Sequence, residues 1–507
     1  MANQKGITIY TVTKASISLD PLAAADRTKE GALTKEETFD TDAKKAGYYA
    51  PMIQINGHRV DRGIRSFSLD STGFLPICTF SFQMVDSVFL SVSYPKDGDI
   101  FSLYLRSVGD VYKPVRMDFS IISVDSIPVP YDADSNDDGQ FQYFTIVGEC
   151  RIPGIYTQRI KAFKNKTSYD TLLEVSQELG LGFASNETNV SDSMNWICPN
   201  FSYYDFIDTV TKHSYKDEFS YFDSWVDLYY NLNFVNLGNN YSVGEFTPET
   251  VKTSIQDVPG IDINNDTTIP GKEQEFVEKP LIFSNAQALA GTMLYPLGYT
   301  LISQAGQNTN LSGYVTTLQM FDGESDATED GYIKYDIESI TIQEIPENAL
   351  LQKGRANETI YKNEKRSVWV GENKTGDNAQ THLNYLHAPL QNEINILDSE
   401  KFTLQLEFNK FLPFVYRGQV VPVLIWVKGK GARKRNAGNL PNKEGDTTGE
   451  NVKDNFLSGN YVVSGFEVFY DPDTGSLGQI INLCKKTWYL NSSGELPKVS
   501  PSPTGVG

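Results

Sequence analysis

The stretch Lys401–Asn409, KFTLQLEFN, followed by Arg417–Val427, RGQVVPVLIWV, decides how this chain is read. In the first, Phe402, Leu404, Leu406 and Phe408 take every second position, the period of a strand with one buried face. The second is a turn that runs into an apolar strand. Both phrases occur once before: Thr79–Met84 alternates, and Asp97–Leu105 is again a turn followed by a strand. There Phe101, Leu103 and Leu105 share one face, and Ser102, Tyr104 and Arg106 the other. Each phrase pair then leads into two more strands. Early in the chain these are Arg116–Val124 and Gln140–Cys150, joined by the loop Tyr131–Gly139; late, they are Tyr461–Tyr470 and Leu477–Lys485, joined across Asp471–Ser476. A supersecondary grammar repeated at two places in one chain predicts two related β units.

Between them the hydrophobic period lengthens to that of a helix. Thr167, Ser168 and Asp170 supply N-cap chemistry, Leu172, Val175 and Leu179 fall on one face, and Gly180 stands where a left-handed cap would end the helix. A second helix is predicted from Ser202, with Asp205 three residues on, burying Tyr203, Phe206, Ile207 and Val210 and ending near Lys212 and His213. Phe219–Trp225 and Leu228–Leu237 read as strands. The expected fold class is therefore mainly β with an α+β insert: two β-barrels flanking an α+β domain. The expected organisation is an N-terminal arm (1–46), a first barrel (47–160), the insert (161–280), closed by the polar loop Gly260–Glu275, and a second barrel (401–487). A β-rich section (281–400) matches neither unit and has room to complete the insert and the second barrel. The second barrel carries a Gly-, Lys- and Asn-rich excursion (429–455), expected as a long exposed loop, and a flexible tail (488–507) follows.

Composition agrees with this and excludes several function classes. A length of 507 residues is room for about three domains. The 28 Tyr and 28 Phe raise the aromatic share to 12%, which favours strands. With 44 Lys and Arg against 64 Asp and Glu, the net charge is −20, and such a surface repels phosphate backbones; specific nucleic-acid binding is not expected. Cys78, Cys150, Cys198 and Cys484 form no CxxC pair and read as buried free thiols, as in a reducing cytoplasm. No apolar stretch has the length of a membrane-crossing helix, and Met1–Tyr10 lacks the layout of a signal peptide.

Catalytic and metal-binding motifs are mostly missing. The sequence holds no GxSxG, Walker, GxGxxG or HExxH signature. His58, His213, His382 and His387 are its four histidines, and His382 and His387 lack the same-face spacing of a zinc helix. Three acidic loops begin like calcium loops, and each is broken. Asp134, Asn136, Asp138 and Gly139 meet Thr145 where the bidentate Glu is needed; Asp326, Thr328, Asp330 and Gly331 meet Ile337; Asp262, Asn264, Asp266 and Glu273 have Thr267 at the turn position. Solvated Asp- and Asn-rich turns account for all three. The run Tyr221, Phe222, Trp225, Tyr229 and Tyr230 has the makings of a sugar platform, although strand alternation puts half of it in a core. The expectation is no catalytic, cofactor or metal residue: not an enzyme, with no cofactor.

The order of elements resembles a known family. RIPGIYTQRIKAFKNKTSYDTLLEVSQELGLGF (151–183), NWICPNFSYYDFIDTV (195–210), the strand Leu228–Leu237 and the two phrases of the last section resemble the central baseplate hub of contractile-tailed phages. This is the T4-like hub or late control protein D family, related to the front part of type VI secretion spike proteins, and the likeness runs over most of residues 50–487. It implies a structural protein of the viral tail: a homotrimer whose two tube-type barrels per copy make a ring of six. Such a ring is a symmetry adaptor between a six-fold tail tube and a three-fold central spike, and part of the DNA-ejection channel. It also implies tail tube protein, central spike protein and baseplate wedge proteins as partners, and a place in the virion after synthesis in the host bacterial cytoplasm. Two other readings stay open: a virion-associated cell-wall glycosidase, and a β-rich carbohydrate-binding adhesin.

Overall fold

Strand alternation becomes burial in the first unit. Its elements are β1 (Met52–Ile55), β2 (His58–Arg59), β3 (Ile64–Asp70), β4 (Ile77–Met84), α1 (Ser87–Val92), β5 (Ile100–Leu105), β6 (Val115–Pro128) and β7 (Gln142–Cys150). Cys78, Phe80 and Phe82 of β4 and Phe101, Leu103 and Leu105 of β5 are completely buried. Phe101 stacks on Phe119 with ring centroids 5.0 Å apart, and a Cβ at Gly148 would lie 2.3 Å from the Phe101 ring. Glycine at 148 is what lets that ring lie across the sheet.

This architecture comes from a computed structural model, which describes residues 51–56, 58–60, 63–84, 87–105, 115–128, 142–217, 220–241, 283–284, 296–303, 317–327, 333–341, 381–382, 384–385, 387–400, 402–412, 415–428, 451–453, 457–473 and 475–485. The arm 1–46, the loops Tyr131–Gly139 and Gly260–Glu275, and the tail 488–507 lie outside the described residues.

The insert holds β8 (Arg159–Lys166), α2 (Ser168–Glu178), β9 (Gly182–Ser185), β10 (Met194–Phe201), α3 (Tyr203–Lys212), β11 (Phe222–Val226), β12 (Asn231–Asn236) and α4 (Leu237–Tyr241). Both long helices start at the residues their caps predict: the Thr167 and Ser202 side chains accept from the backbone N–H of Asp170 and Asp205. Helix α2 stops at Gly180, φ 70°, whose N–H reaches Gln177 O at 3.1 Å while that of Leu181 reaches Ser176 O at 2.8 Å. The side chains of Leu172, Val175, Phe206, Ile207 and Val210 are buried. The strand read as Leu228–Leu237 begins later, at Asn231. Residues 227–230 form a turn instead, with Tyr230 left-handed at φ 60° and the Asp227 carboxylate accepting from the N–H groups of Tyr229 and Asn231.

The last section supplies β13 (Phe283–Ser284), β14 (Gly298–Ser303), β15 (Thr317–Ala327), β16 (Ile333–Thr341), α5 (His387–Glu400), β17 (Phe402–Phe408), β18 (Val420–Leu424), β19 (Trp426–Lys428), β20 (Asn451–Lys453), β21 (Gly459–Asp471) and β22 (Ser476–Cys484). The excursion 429–455, read as one exposed loop, includes β20, which pairs antiparallel with β19. Strand β14 pairs with β17, and α5 packs on the insert, where Asn392 Oδ1 accepts from Phe222 N at 3.0 Å. The chain is mainly β with an α+β insert, and its two β units are not separate sheets. One 13-stranded sheet runs β14-β17-β22-β21-β3-β4-β7-β6-β5-β1-β2, with β18 against β21 and β13 against β18.

Candidate functional site

Five strands of each unit follow one plan. Strands β3, β4, β7, β6 and β5 stand side by side and antiparallel, and so do β14, β17, β22, β21 and β18. Their registers coincide: Cys78 faces Gly148, which faces Ile121, as Leu404 faces Leu483, which faces Val463. One residue then bulges out of each long strand, Ile122 in β6 and Ser464 in β21. The turn before the last strand repeats too. Gly98 (φ 83°) donates to Ile121 O at 2.8 Å, and Gly418 (φ 82°) to Val463 O at 2.7 Å. In return Ile121 N donates to Asp99 O at 2.8 Å, and Val463 N to Gln419 O at 2.9 Å. Only glycine takes this left-handed conformation without strain.

The units meet through backbone. The end of β21, Glu467–Tyr470, pairs antiparallel with Phe67–Asp70 of β3, and Ser71 N extends the ladder to Phe466 O at 2.9 Å. Ser68 Oγ donates to Glu467 Oε1 at 2.6 Å across the joint. Gly465 lies against Thr72 so closely that a Cβ would come 2.8 Å from Thr72 Cγ2. Leu69 and Val468 are fully buried there.

Arg417 ties three parts of the chain at this joint. From the turn before β18, its Nη1 donates to the carbonyls of Thr72 (2.8 Å) and Gly73 (2.9 Å) in the first unit. Its Nη2 meets Asp223 Oδ2 of the insert at 2.6 Å, and the guanidinium lies 4.8 Å over the Trp225 ring. Burial raises the carboxyl pKa of neighbouring Glu400, and the Asp223 charge raises it further, against the pull of Arg417. Further bonds lock the insert to the units: Val226 N donates to Phe74 O at 2.8 Å, Asp118 N to Tyr230 Oη at 2.8 Å, and Asn240 Nδ2 to Gly418 O at 2.7 Å. Sequence reading did not single out Arg417, Asp223 or Thr72; an Arg beside the turn glycine was the available signal.

Opposite the core, the joined sheet presents one solvent face. Along one row stand Glu407, Ile480, Glu467, Asp70, Ile77 and Glu149, successive partners from β17 to β7. Ser68 and Thr79, then Ser81 and Thr145, fill other places on this face, with Asp125 beside Thr145 on β6. Arg65, which donates to Gln83 Oε1 at 2.7 Å, adds one cation. The face carries acids and small hydroxyls, with exposed Ile77, Tyr143 and Ile127 among them.

The other candidate residues separate as follows. His213 and His382 come together: His213 stacks on Tyr385 at 3.8 Å, its Nδ1 2.7 Å from Tyr385 O, and His382 Nε2 is 2.9 Å from His213 O. Burial lowers both imidazole pKa values, that of His382 to about 4, and these contacts tie the end of α3 to His382 and Tyr385. His58 Nδ1 bonds Ser93 Oγ at 2.7 Å, and the His387 side chain is outside the description. All four cysteines are free and buried, and burial pushes the Cys484 thiol up to about 11. Tyr221, Phe222, Trp225 and Tyr230 are buried and Tyr229 is partly so, which makes this run core and not a sugar platform. Asp326 and Ile337 sit in the antiparallel β15–β16 pair, facing Lys334 and Phe321, while Thr328, Asp330 and Gly331 lie outside the described residues. The Asp134–Gly139 and Asp262–Glu273 candidates lie outside them too, apart from Thr145, which sits on β7. Among the described residues no group of three His, Cys, Asp or Glu is placed to hold a metal, and no helix is long and apolar enough to cross a membrane.

No family model matches the chain, and no curated protein matches it in sequence. Among solved structures it is similar to the 43 kDa tail protein of prophage MuSo2 from Shewanella oneidensis, at 10% identity and a TM-score of 0.42, over 86% of this chain and 98% of that one. It is similar to a tail protein from Neisseria meningitidis at 9% identity and a TM-score of 0.43, over 87% and 98%. A third similar structure is an E. coli component of the type VI secretion system, at 8% identity and a TM-score of 0.37, over 86% and 77%.

Proposed function

We propose that this chain is the structural, non-enzymatic hub of a phage tail baseplate or a related injection machine. Three copies form a ring of six like β units. The ring adapts a six-fold tail tube to a three-fold central spike, touches wedge proteins at its rim, and passes DNA through its centre in the virion. The observation that carries this reading is the duplication: two units with the same strand order, the same register and the same glycine turn are what a trimer needs to offer six equivalent positions. The resemblance in order of elements over most of residues 50–487, with 281–400 outside it, supports this reading. So do the acids and small hydroxyls on the face of the joined sheet, which suit a channel wall that must let phosphate slide, because cations there would hold DNA by counterion release.

The test is electron microscopy of the purified protein, with and without its genomic-neighbour spike candidate, classified for symmetry. A three-fold ring with a six-lobed outline and an open centre is expected. Compact single particles in both samples, together with release of fragments from purified peptidoglycan, would replace the hub by a cell-wall enzyme.

A further inference from the structure

The joint between the two units has a counterpart that, among the described residues, is not made within the chain. Leu69 faces Cys78 and Leu301 faces Leu404, and Cys78 and Leu404 are matching positions, so Phe67–Asp70 of β3 correspond to Tyr299–Ile302 of β14. Ile121 matches Val463 with one bulged residue after each, so Asp125–Pro128 of β6 correspond to Glu467–Tyr470 of β21. Phe67–Asp70 and Glu467–Tyr470 are paired with one another within the chain. Among the described residues, β14 pairs with β17 alone, and β6 beyond its bulge pairs with β7 alone.

Burial separates the made joint from its counterparts. Phe67 is 3% exposed and Leu69 is fully buried, whereas Tyr299 is 37% exposed and Leu301 is half-buried. Val468 is fully buried and its counterpart Ser126 is half-buried; Ile127 beside it is 68% exposed. Leu297, just before β14, is 60% exposed. Two open strand edges carrying exposed Ile, Leu and Tyr are a template for another chain, and the made joint shows what each edge pairs with.

We propose that β14 of one copy pairs antiparallel with the end of β6 of the next copy. Ile302 stands opposite Asp125, Leu301 opposite Ser126, Thr300 opposite Ile127 and Tyr299 opposite Pro128, the register of the β21–β3 joint. Pro128 falls at the last position, where its missing N–H removes at most one ladder bond. The contact is head to tail, so each copy uses one edge and offers the other, and the sheet continues from copy to copy. It deepens the hub reading and rests on it for the number of copies at which the ring closes.

The experiment uses the full chain carrying Ile127→Cys and Thr300→Cys, oxidised mildly and run on non-reducing gels, beside mass photometry of the unaltered protein. The native cysteines are buried, so the expected result is a covalent series ending at three copies and collapsing under reductant. Neither single variant, nor Ser123→Cys with Thr300→Cys out of register, should cross-link. Tyr299→Pro should abolish assembly while leaving the thermal transition of the chain in place, because this N–H, like that of Phe67 at the made joint, points to the open edge and not to β17. Trimers that the Ile127 and Thr300 pair does not link overturn the edge pairing and leave the hub. A linked series that runs past three into open filaments keeps the pairing and removes the hub. Monomers with no links at the highest soluble concentration overturn the pairing.

Discussion

Arg417 and Asp223 meet at 2.6 Å across the boundary between the second β unit and the insert, and the same guanidinium holds two carbonyls of the first unit. Arg417→Ala strands those carbonyls and leaves Asp223 beside Glu400 with no cation between them. A loss of about 2–4 kcal/mol is expected, as for breaking a partly buried charged network. Arg417→Lys keeps the charge but not the fork and should recover only part of it. Urea unfolding of both variants reads the difference; an unchanged Arg417→Ala midpoint would show that the joint stands without this residue.

Gly98 holds φ 83° with nothing within 4 Å of an added Cβ, so Gly98→Ala isolates the backbone cost of the turn. That cost should be about 1 kcal/mol. Gly418, at φ 82°, should cost about as much when changed to Ala, because the turn is the same one. Thermal melts of the two single variants and the double check both the size and the additivity.

His382 is held neutral by burial, with a pKa of about 4 in the folded chain against an ordinary 6.5. The unfolded chain then takes up the proton first, so stability falls as pH drops from about 6.5 toward about 4, and is unaffected above. Between pH 7 and pH 5 the loss from this group should be about 2 kcal/mol. His213 moves in the same direction and adds to it. Urea midpoints at the two pH values for the parent and for His382→Gln should converge as the pH falls; parallel curves would refute the assignment.

Glu407 and Glu149 stand on the solvent face of the joined sheet. Replacing both by Lys should slow DNA ejection from assembled particles and strengthen DNA binding by the purified ring, more so at low salt. Ejection at the parental rate would place that face away from the channel.

Much of the architecture was legible before any coordinates. Period-two spacing in Thr79–Met84 and Lys401–Asn409 marked strands that bury Phe80, Phe82, Leu404, Leu406 and Phe408, and the caps at Thr167 and Ser202 marked the two long helices of the insert, because these signals are local; α5, the longest helix among the described residues, lies in the section read as β-rich and was missed. The repeat was visible as grammar. The glycine turns and bulges that set its register were not, since a bulge at Ile122 or Ser464 exists only relative to a partner strand. The joint was illegible for the same reason: nothing in Phe67–Asp70 names Glu467–Tyr470, so the sequence marks the two β units and not the ladder that joins them. Arg417, Asp223, His213 and His382 gain their partners only when distant segments pack, and the Tyr221–Tyr230 run loses its solvent face in the same way.

The β21–β3 joint also has a mechanical meaning. Its bonds lie side by side, perpendicular to the strands, between Glu467–Tyr470 and Phe67–Asp70. A force that slides one β unit along the other loads all of them at once, in shear. A force that opens the sheet takes them singly, from the end. The joint is therefore stiff along its strands and weak to peeling, and a load applied along the strand direction passes from one β unit to the other through peptide groups.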